Sequence, residues 1–199
     1  MAITADEVKQ LREKTGAGFK DCKQALEATN GDFDAAVTEL RKKGIAVANK
    51  REGKVAAQGL IISYIHAGNQ IGVMVEINCE TDFVARTDAF RDFGGNVAMQ
   101  IAAQKPRWVA PEDVPADLVD KEREILMEQA RNEGKPESII EKMVEGRLKK
   151  FYAEGCLLNQ PYIRDDSLTI QDLLNDLIGK CGERVSVRRF ERWQVGEEL

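Results

Sequence analysis

The sequence predicts an α+β protein, with a small helical module followed by an antiparallel sheet covered by helices. Three observations carry this. Helix start and stop signals recur over residues 4–44. Two β-branched-rich runs, Leu60–His66 and Ile71–Cys79, are joined through Gly68-Asn69. An alternating run, Val185–Trp193, closes the chain. Helices grouped apart from strands, without strict alternation, point to α+β and not to a parallel sheet.

Each element has a local reason. Thr4 with Glu7 forms a capping-box pattern that opens a first helix bearing Val8 and Leu11 on one face. Gly16-Ala17-Gly18 breaks it. A second helix runs from about Phe19 to Ala28, with Cys22, Ala25 and Leu26 at helical spacing. Asn30-Gly31 ends it. Asp32 then caps a third helix, which turns Phe33, Ala36, Val37 and Leu40 inward and is expected to close at Gly44. Residues 45–57 are basic, with Lys50, Arg51 and Lys54 following Arg41, Lys42 and Lys43, and read first as a solvated linker, with contact to an acidic partner surface as the alternative. The hairpin follows. Thr81-Asp82-Phe83-Val84 leads into a helix reaching about Ala103, with Phe90, Phe93, Val97 and Ile101 on its buried side. Pro106, Pro111 and Pro115 mark a loop carrying Trp108, and two helices, about 117–132 and 137–154, flank Gly134-Lys135-Pro136. Thr169 and Asp172 suggest a further cap for a helix bearing Leu173, Leu174, Leu177 and Ile178. The final run joins the hairpin in one antiparallel sheet. The organisation is a three-helix module with its basic linker over 1–55 and an α+β core over 56–199.

Composition narrows the chemistry. The 199 residues are 43% hydrophobic and 32% charged, the balance of an ordinary globular protein. A net charge of -5 argues against a partner bound mainly through phosphates. The start Met1-Ala2-Ile3-Thr4-Ala5-Asp6-Glu7 lacks the basic and apolar regions of a secretory signal, and no apolar run approaches a membrane span. The four cysteines (Cys22, Cys79, Cys156 and Cys181) include no C-x-x-C pair and read as reduced thiols in the cytosol. With a single histidine, His66, the chain cannot build a zinc site on two histidines. His66 lies at a strand end beside a turn, where a surface role suits it better than catalysis. Gly16-Ala17-Gly18 follows a helix and lacks the third glycine of a dinucleotide loop, and no P-loop pattern occurs. Glu122, Glu124 and Glu128 suit a solvated helix face. A protein that binds partners fits these residues better than an enzyme does.

Two stretches go beyond pattern. One is Leu11-Arg12-Glu13-Lys14-Thr15-Gly16-Ala17-Gly18-Phe19, continuing through Leu26; the other is Glu76-Ile77-Asn78-Cys79-Glu80-Thr81-Asp82-Phe83-Val84-Ala85-Arg86. Together, in this order and spacing, they resemble the bacterial translation elongation factor Ts family. The similarity extends through Glu145–Lys150 and Val187–Phe190. The resemblance implies a guanine-nucleotide exchange factor for the GTPase elongation factor Tu, working in the cytoplasm without a cofactor, a metal or direct contact with nucleic acid. It implies a ubiquitin-associated-like N-terminal module and a three-stranded sheet packed with helices. It assigns Thr81, Asp82, Phe83 and Val84 to displacing Mg²⁺ from the partner. It assigns Leu11, Thr15, Gly16, Ala17, Gly18 and Phe19 to binding that partner.

Residue pattern alone gives other readings at some positions. Phe83 reads as a core residue at a helix start, and the resemblance reverses this. Leu11 and Phe19 suit the bundle core and an exposed loop equally. No second complete copy of the core module follows the first, so the chain resembles the short form of the family, and a homodimer is expected to supply the missing surface. The competing function is an RNA- or ribosome-binding module using Lys42, Lys43, Lys50, Arg51, Arg188 and Arg189, with steep salt dependence. A ubiquitin-like binding adaptor rests on the helical module alone.

Overall fold

A computed structural model of the chain describes residues 3–198; Met1, Ala2 and Leu199, at the ends of the two expected domains, lie outside the described residues. The elements run α1 (Ala5–Thr15), α2 (Phe19–Ala28), α3 (Phe33–Arg51), β1 (Gln58–Ile65), β2 (Ile71–Cys79), α4 (Asp82–Ala85), α5 (Asp88–Gln104), α6 (Ala116–Asn132), α7 (Glu137–Gly155), β3 (Pro161–Tyr162), β4 (Asp165–Thr169), α8 (Ile170–Cys181) and β5 (Val185–Gln194). The antiparallel sheet has strand order β1-β2-β5, so the class is α+β as expected.

Most starts and stops follow the local chemistry. The Thr4 hydroxyl accepts from the Glu7 N–H while the Glu7 carboxylate accepts from the Thr4 N–H, a complete capping box. Gly16 adopts φ 69° as the left-handed cap of α1, a conformation that costs a glycine little. Asp32 accepts from the Ala35 N–H to start α3. His66 donates its N–H to the Ile71 carbonyl and accepts from the Asn69 N–H, closing the β1–β2 turn.

Two expectations need correction, and one pair of strands is new. Helix α3 does not close at Gly44 but continues to Arg51, so the first part of the basic stretch is helical and not linker. Gly44 serves close approach: a Cβ there would stand 3.0 Å from the Asn175 carbonyl oxygen, and one at Gly179 would stand 2.9 Å from the Gly44 Cα. The expected helix from 82 to about 103 is two helices. Thr87 divides them, donating its hydroxyl to the Val84 carbonyl at 2.8 Å and accepting from the Phe90 N–H at 3.3 Å. Finally, β3 and β4 form a short antiparallel pair that the sequence did not signal.

The chain divides into two compact units. The first comprises Met1–Ile62, Glu76–Gly95 and Asp172–Arg188. Its N-terminal core is Val8, Leu11, Cys22, Ala25, Leu26 and Ala36, all buried, with Phe33, Val37 and Leu40 packed against them. Here α3 crosses α8 at the Gly44–Gly179 contact. The second unit comprises Ser63–Val75, Asn96–Gln171 and Arg189–Leu199. Within it α6 and α7 form a helical hairpin around Leu126, Ala130, Ile140, Val144 and Leu148, tied by the Arg147–Glu133 ion pair at 2.7 Å. The buried Gln100 donates to Gln160 and to the Pro161 carbonyl and accepts from the Ile163 N–H, which holds the β3–β4 hairpin. In the strand segments of this unit Val73 and Val75 are buried, whereas Ile65, Met74 and Trp193 are 60%, 44% and 52% exposed. A Cβ at Gly72, which shares a strand face with Met74, would lie 3.2 Å from Ile65 Cδ1, and Trp193 points opposite to Arg192, which donates to the Ala102 carbonyl; these exposed residues lie on the uncovered face of the sheet.

Candidate functional site

Both motifs singled out in the sequence lie in the first unit; the end of α8 meets one of them, and the loop from α8 to β5 meets the other. The first follows β2. Residues 73–79 alternate between strand faces and end at buried Cys79, after which Glu80 and Thr81 turn the chain into the four-residue α4. Thr81 is the N-cap, extended at φ -126° and ψ 155°, and its Oγ1 accepts from the Val84 N–H at 3.4 Å. Val84 and Ala85 point inward and are buried. Phe83, between Asp82 and Val84, is 78% exposed. A phenyl ring left in water at the tip of a one-turn helix is the kind of apolar surface that gains by entering a partner.

The turn is fixed by charge and hydrogen bonds. Asp82 Oδ2 accepts from Arg86 Nη2 at 2.8 Å, an (i, i+4) surface pair of small energetic weight. Glu183, between α8 and β5, accepts from the Thr81 N–H at 3.0 Å and from its hydroxyl at 2.7 Å. Glu80 accepts from the Arg184 N–H at 2.6 Å and pairs with Arg51, at the end of α3, at 3.4 Å. Arg184 also donates its guanidinium to the Lys54 carbonyl. Burial pushes the Cys79 thiol above its ordinary value, and the Glu183 carboxylate adds to the shift. Burial likewise raises Cys181. Neither thiol is activated as a nucleophile.

The second motif is the loop between α1 and α2. Leu11 has no exposed surface and lies in the helical core; Thr15 and Ala17 are half-buried, and Gly16, Gly18 and Phe19 are exposed, Phe19 at 52%. The Thr15 hydroxyl donates to the Leu11 carbonyl at 2.7 Å and accepts from the Ala17 N–H, and Cys22 Sγ lies 3.7 Å from the Ala17 carbonyl. Leu11 thus supports the loop from beneath, while Gly16, Gly18 and Phe19 offer surface. Lys180 of α8 covers Gly16, where a Cβ would meet its Cε at 3.1 Å, and Lys180 pairs with Asp176 at 2.6 Å.

Sequence reasoning missed Glu80, Glu183 and Lys180. Thr81 and Glu183 are 102 residues apart, and no local pattern links them. Of the cations considered for RNA, Lys42 pairs with Glu39, Lys43 with Asp21, Arg51 with Glu80 and Arg188 with Glu76. These four cations are thus partly offset by neighbouring carboxylates. Among the described residues no group of three or more His, Cys, Asp or Glu side chains is placed to hold a metal ion, and no helix is long and apolar enough to cross a membrane.

Comparison with known proteins supplies the remaining observation. A family model described as "Elongation factor TS" matches residues 6–197. The chain is 58% identical over 197 residues to elongation factor Ts of Moorella thermoacetica, covering 99% of this chain and 97% of that one. It is 56% identical to elongation factor Ts of Carboxydothermus hydrogenoformans, covering 99% and 91%. Identity to elongation factor Ts of Solidesulfovibrio magneticus is 58%, covering 99% and 98%.

Proposed function

Because the chain belongs to the elongation factor Ts family, we propose that it releases GDP from elongation factor Tu by pressing the Asp82-Phe83 turn against the partner's Mg²⁺ site. The family's task is nucleotide exchange on elongation factor Tu during translation elongation. The route is our reading, and the exposure of Phe83 on a turn fixed from both sides carries it. Mg²⁺ requires near-ideal octahedral geometry and bridges nucleotide phosphates, so a small displacement of its surroundings weakens it. Phe83 is the wedge that enters a crevice; Asp82 offers a carboxylate to the partner; Thr81 and Val84 shape and seat the turn. Coupling is reciprocal, so a factor that loosens nucleotide is itself displaced when nucleotide rebinds.

One side chain does not do this alone. A ten-thousand-fold faster release corresponds to about 5.5 kcal/mol, beyond what a single contact ordinarily supplies. The loop Thr15-Gly16-Ala17-Gly18-Phe19, supported by Leu11, is the second contact on the partner. We take 1–55 as the module that presents it and 56–199 as the core. A homodimer through the uncovered sheet face completes the surface. The protein works in the cytoplasm on a protein partner, with no reaction of its own, no cofactor and no direct nucleic-acid or membrane contact.

The decisive measurement is release of fluorescent GDP from purified elongation factor Tu. Acceleration by micromolar amounts of this chain is expected, and its absence would sink the reading. Phe83→Ala should lower the maximal release rate at least tenfold, a loss of about 1.4 kcal/mol or more. Its unfolding free energy should change by less than about 0.5 kcal/mol, because Phe83 is a surface residue. Comparable losses in exchange and in stability would instead make Phe83 structural.

A further inference from the structure

Helix α4 has four residues, too few to hold itself, since one hydrogen-bonded turn does not repay the entropy of fixing its dihedrals. Something outside the turn must fix it. The loop joining α8 to β5 does so by a reciprocal exchange of carboxylates: Glu80 accepts the Arg184 N–H at 2.6 Å, and Glu183 accepts the Thr81 N–H at 3.0 Å. Each strand of chain lends a side chain to the other's backbone. Glu183 also accepts the Thr81 hydroxyl proton at 2.7 Å. With its proton committed to Glu183, the hydroxyl turns a lone pair to the Val84 N–H, the bond that starts α4. Two bonds to one residue fix both the place and the rotation of Thr81, and Phe83 follows two residues later.

We propose that Glu183 is the positioning residue of the Asp82-Phe83 turn: it makes no partner contact itself and acts by holding Thr81 so that Phe83 is presented in one orientation. This rests on the wedge reading of Phe83 given above. Pre-organisation of that kind raises the fraction of bound complexes in which Phe83 is productively placed, and its loss lowers the release rate by that fraction.

The test uses the full chain with elongation factor Tu and fluorescent GDP, titrating wild type, Glu183→Ala, Glu183→Gln, Phe83→Ala and Phe83→Ala/Glu183→Ala. Glu183→Ala should lower the maximal release rate about tenfold while the half-saturating concentration moves less than about threefold, because the rest of the interface still binds the partner and only the productive presentation of Phe83 is lost. The double variant should be no slower than Phe83→Ala. Glu183→Gln keeps one acceptor oxygen and should fall between wild type and Glu183→Ala; it carries the comparison should Glu183→Ala fold poorly. Amide hydrogen exchange over residues 81–86 of the free protein supplies a readout independent of the partner. Exchange should rise about tenfold in Glu183→Ala, with the rest of the sheet unchanged. Unchanged amide exchange, or rate losses that multiply in the double variant, would overturn the proposal. A slow Phe83→Ala beside a normal Glu183→Ala removes the positioning role alone. A normal Phe83→Ala removes the wedge reading, and the positioning role falls with it.

Discussion

Cys156 follows the last turn of α7, has no exposed surface, and donates its N–H to the Tyr152 carbonyl. Burial pushes its thiol from the ordinary 9.0 up to about 11, and the Asp113 and Glu112 carboxylates push the same way. The unfolded chain releases that proton near the ordinary value, whereas the folded chain keeps it until about 11. The folded state therefore binds more protons between those limits, so this thiol's contribution is full below pH 9 and is lost as pH rises toward 11. Urea unfolding of wild type and Cys156→Ala at pH 8, 9, 10 and 10.8 isolates the effect from the many lysines and tyrosines that also titrate. The advantage of wild type over Cys156→Ala should be constant up to about pH 9 and shrink above it. A difference independent of pH would mean that the thiol is not held protonated. The same burial keeps this cysteine out of any exchange chemistry at neutral pH.

At the scale of elements, two glycines inside helices make opposite predictions. Gly179 of α8 lies against the backbone of Gly44, where a Cβ would come within 2.9 Å of the Gly44 Cα. Backbone cannot rotate away as a lysine tip can. Gly179→Val should therefore cost about 2 kcal/mol or more in urea unfolding, since overpacking outweighs any gain in helix propensity. Gly146 of α7 is exposed with nothing within 4 Å of an added Cβ. Gly146→Ala should stabilise by about 0.5–1 kcal/mol, through helix propensity and a less flexible unfolded chain. Equal effects at the two sites would refute the close crossing of α3 and α8. The contrast also shows what was legible. Caps act within four residues, so Thr4 with Glu7, Asp32, and the Gly68-Asn69 turn placed the starts of α1 and α3 and the hairpin correctly. Gly44 looks in sequence like a helix stop because a glycine needed for close approach and one needed for a left-handed cap are the same letter. Its partner lies 135 positions on, at Gly179. The Thr81–Glu183 pair was invisible for the same reason, and the turn at Phe83 was legible only through its resemblance to a family. Pattern alone would have buried that ring, because an aromatic beside Val84 and Ala85 looks like core.

The whole molecule raises the matter of the uncovered sheet face. Ile65, Met74 and Trp193 come from β1, β2 and β5 and are 60%, 44% and 52% exposed, while Val73 and Val75 on the other side are buried. Strand order β1-β2-β5 places β2 between the other two, so these side chains belong to one surface and not to three isolated spots. A helix could have covered such a face; among the described residues these three are left to solvent. Self-association by a two-fold axis is the economical solution, because an exposed apolar cluster can be buried against its own copy. A stable interface of this kind buries roughly 800 Å² per partner, and a central aromatic usually dominates its energy. We therefore expect light scattering to give twice the 22.2 kDa chain mass at micromolar concentration. Trp193→Glu, which puts a charge where the partner's apolar face would lie, should shift the mass to one chain. Because the interface is symmetric, the charge appears twice, so the dissociation constant should weaken at least a hundredfold, about 2.7 kcal/mol. The α1–α3 core lies apart from these residues in sequence, so the variant's far-UV circular dichroism should match wild type. A wild-type chain that stays monomeric at tens of micromolar would leave the sheet face without a partner of its own kind. The exchange surface would then have to be sought within a single chain, along α8 and the loop that follows it, where Lys180 lies over Gly16 and Glu183 holds Thr81.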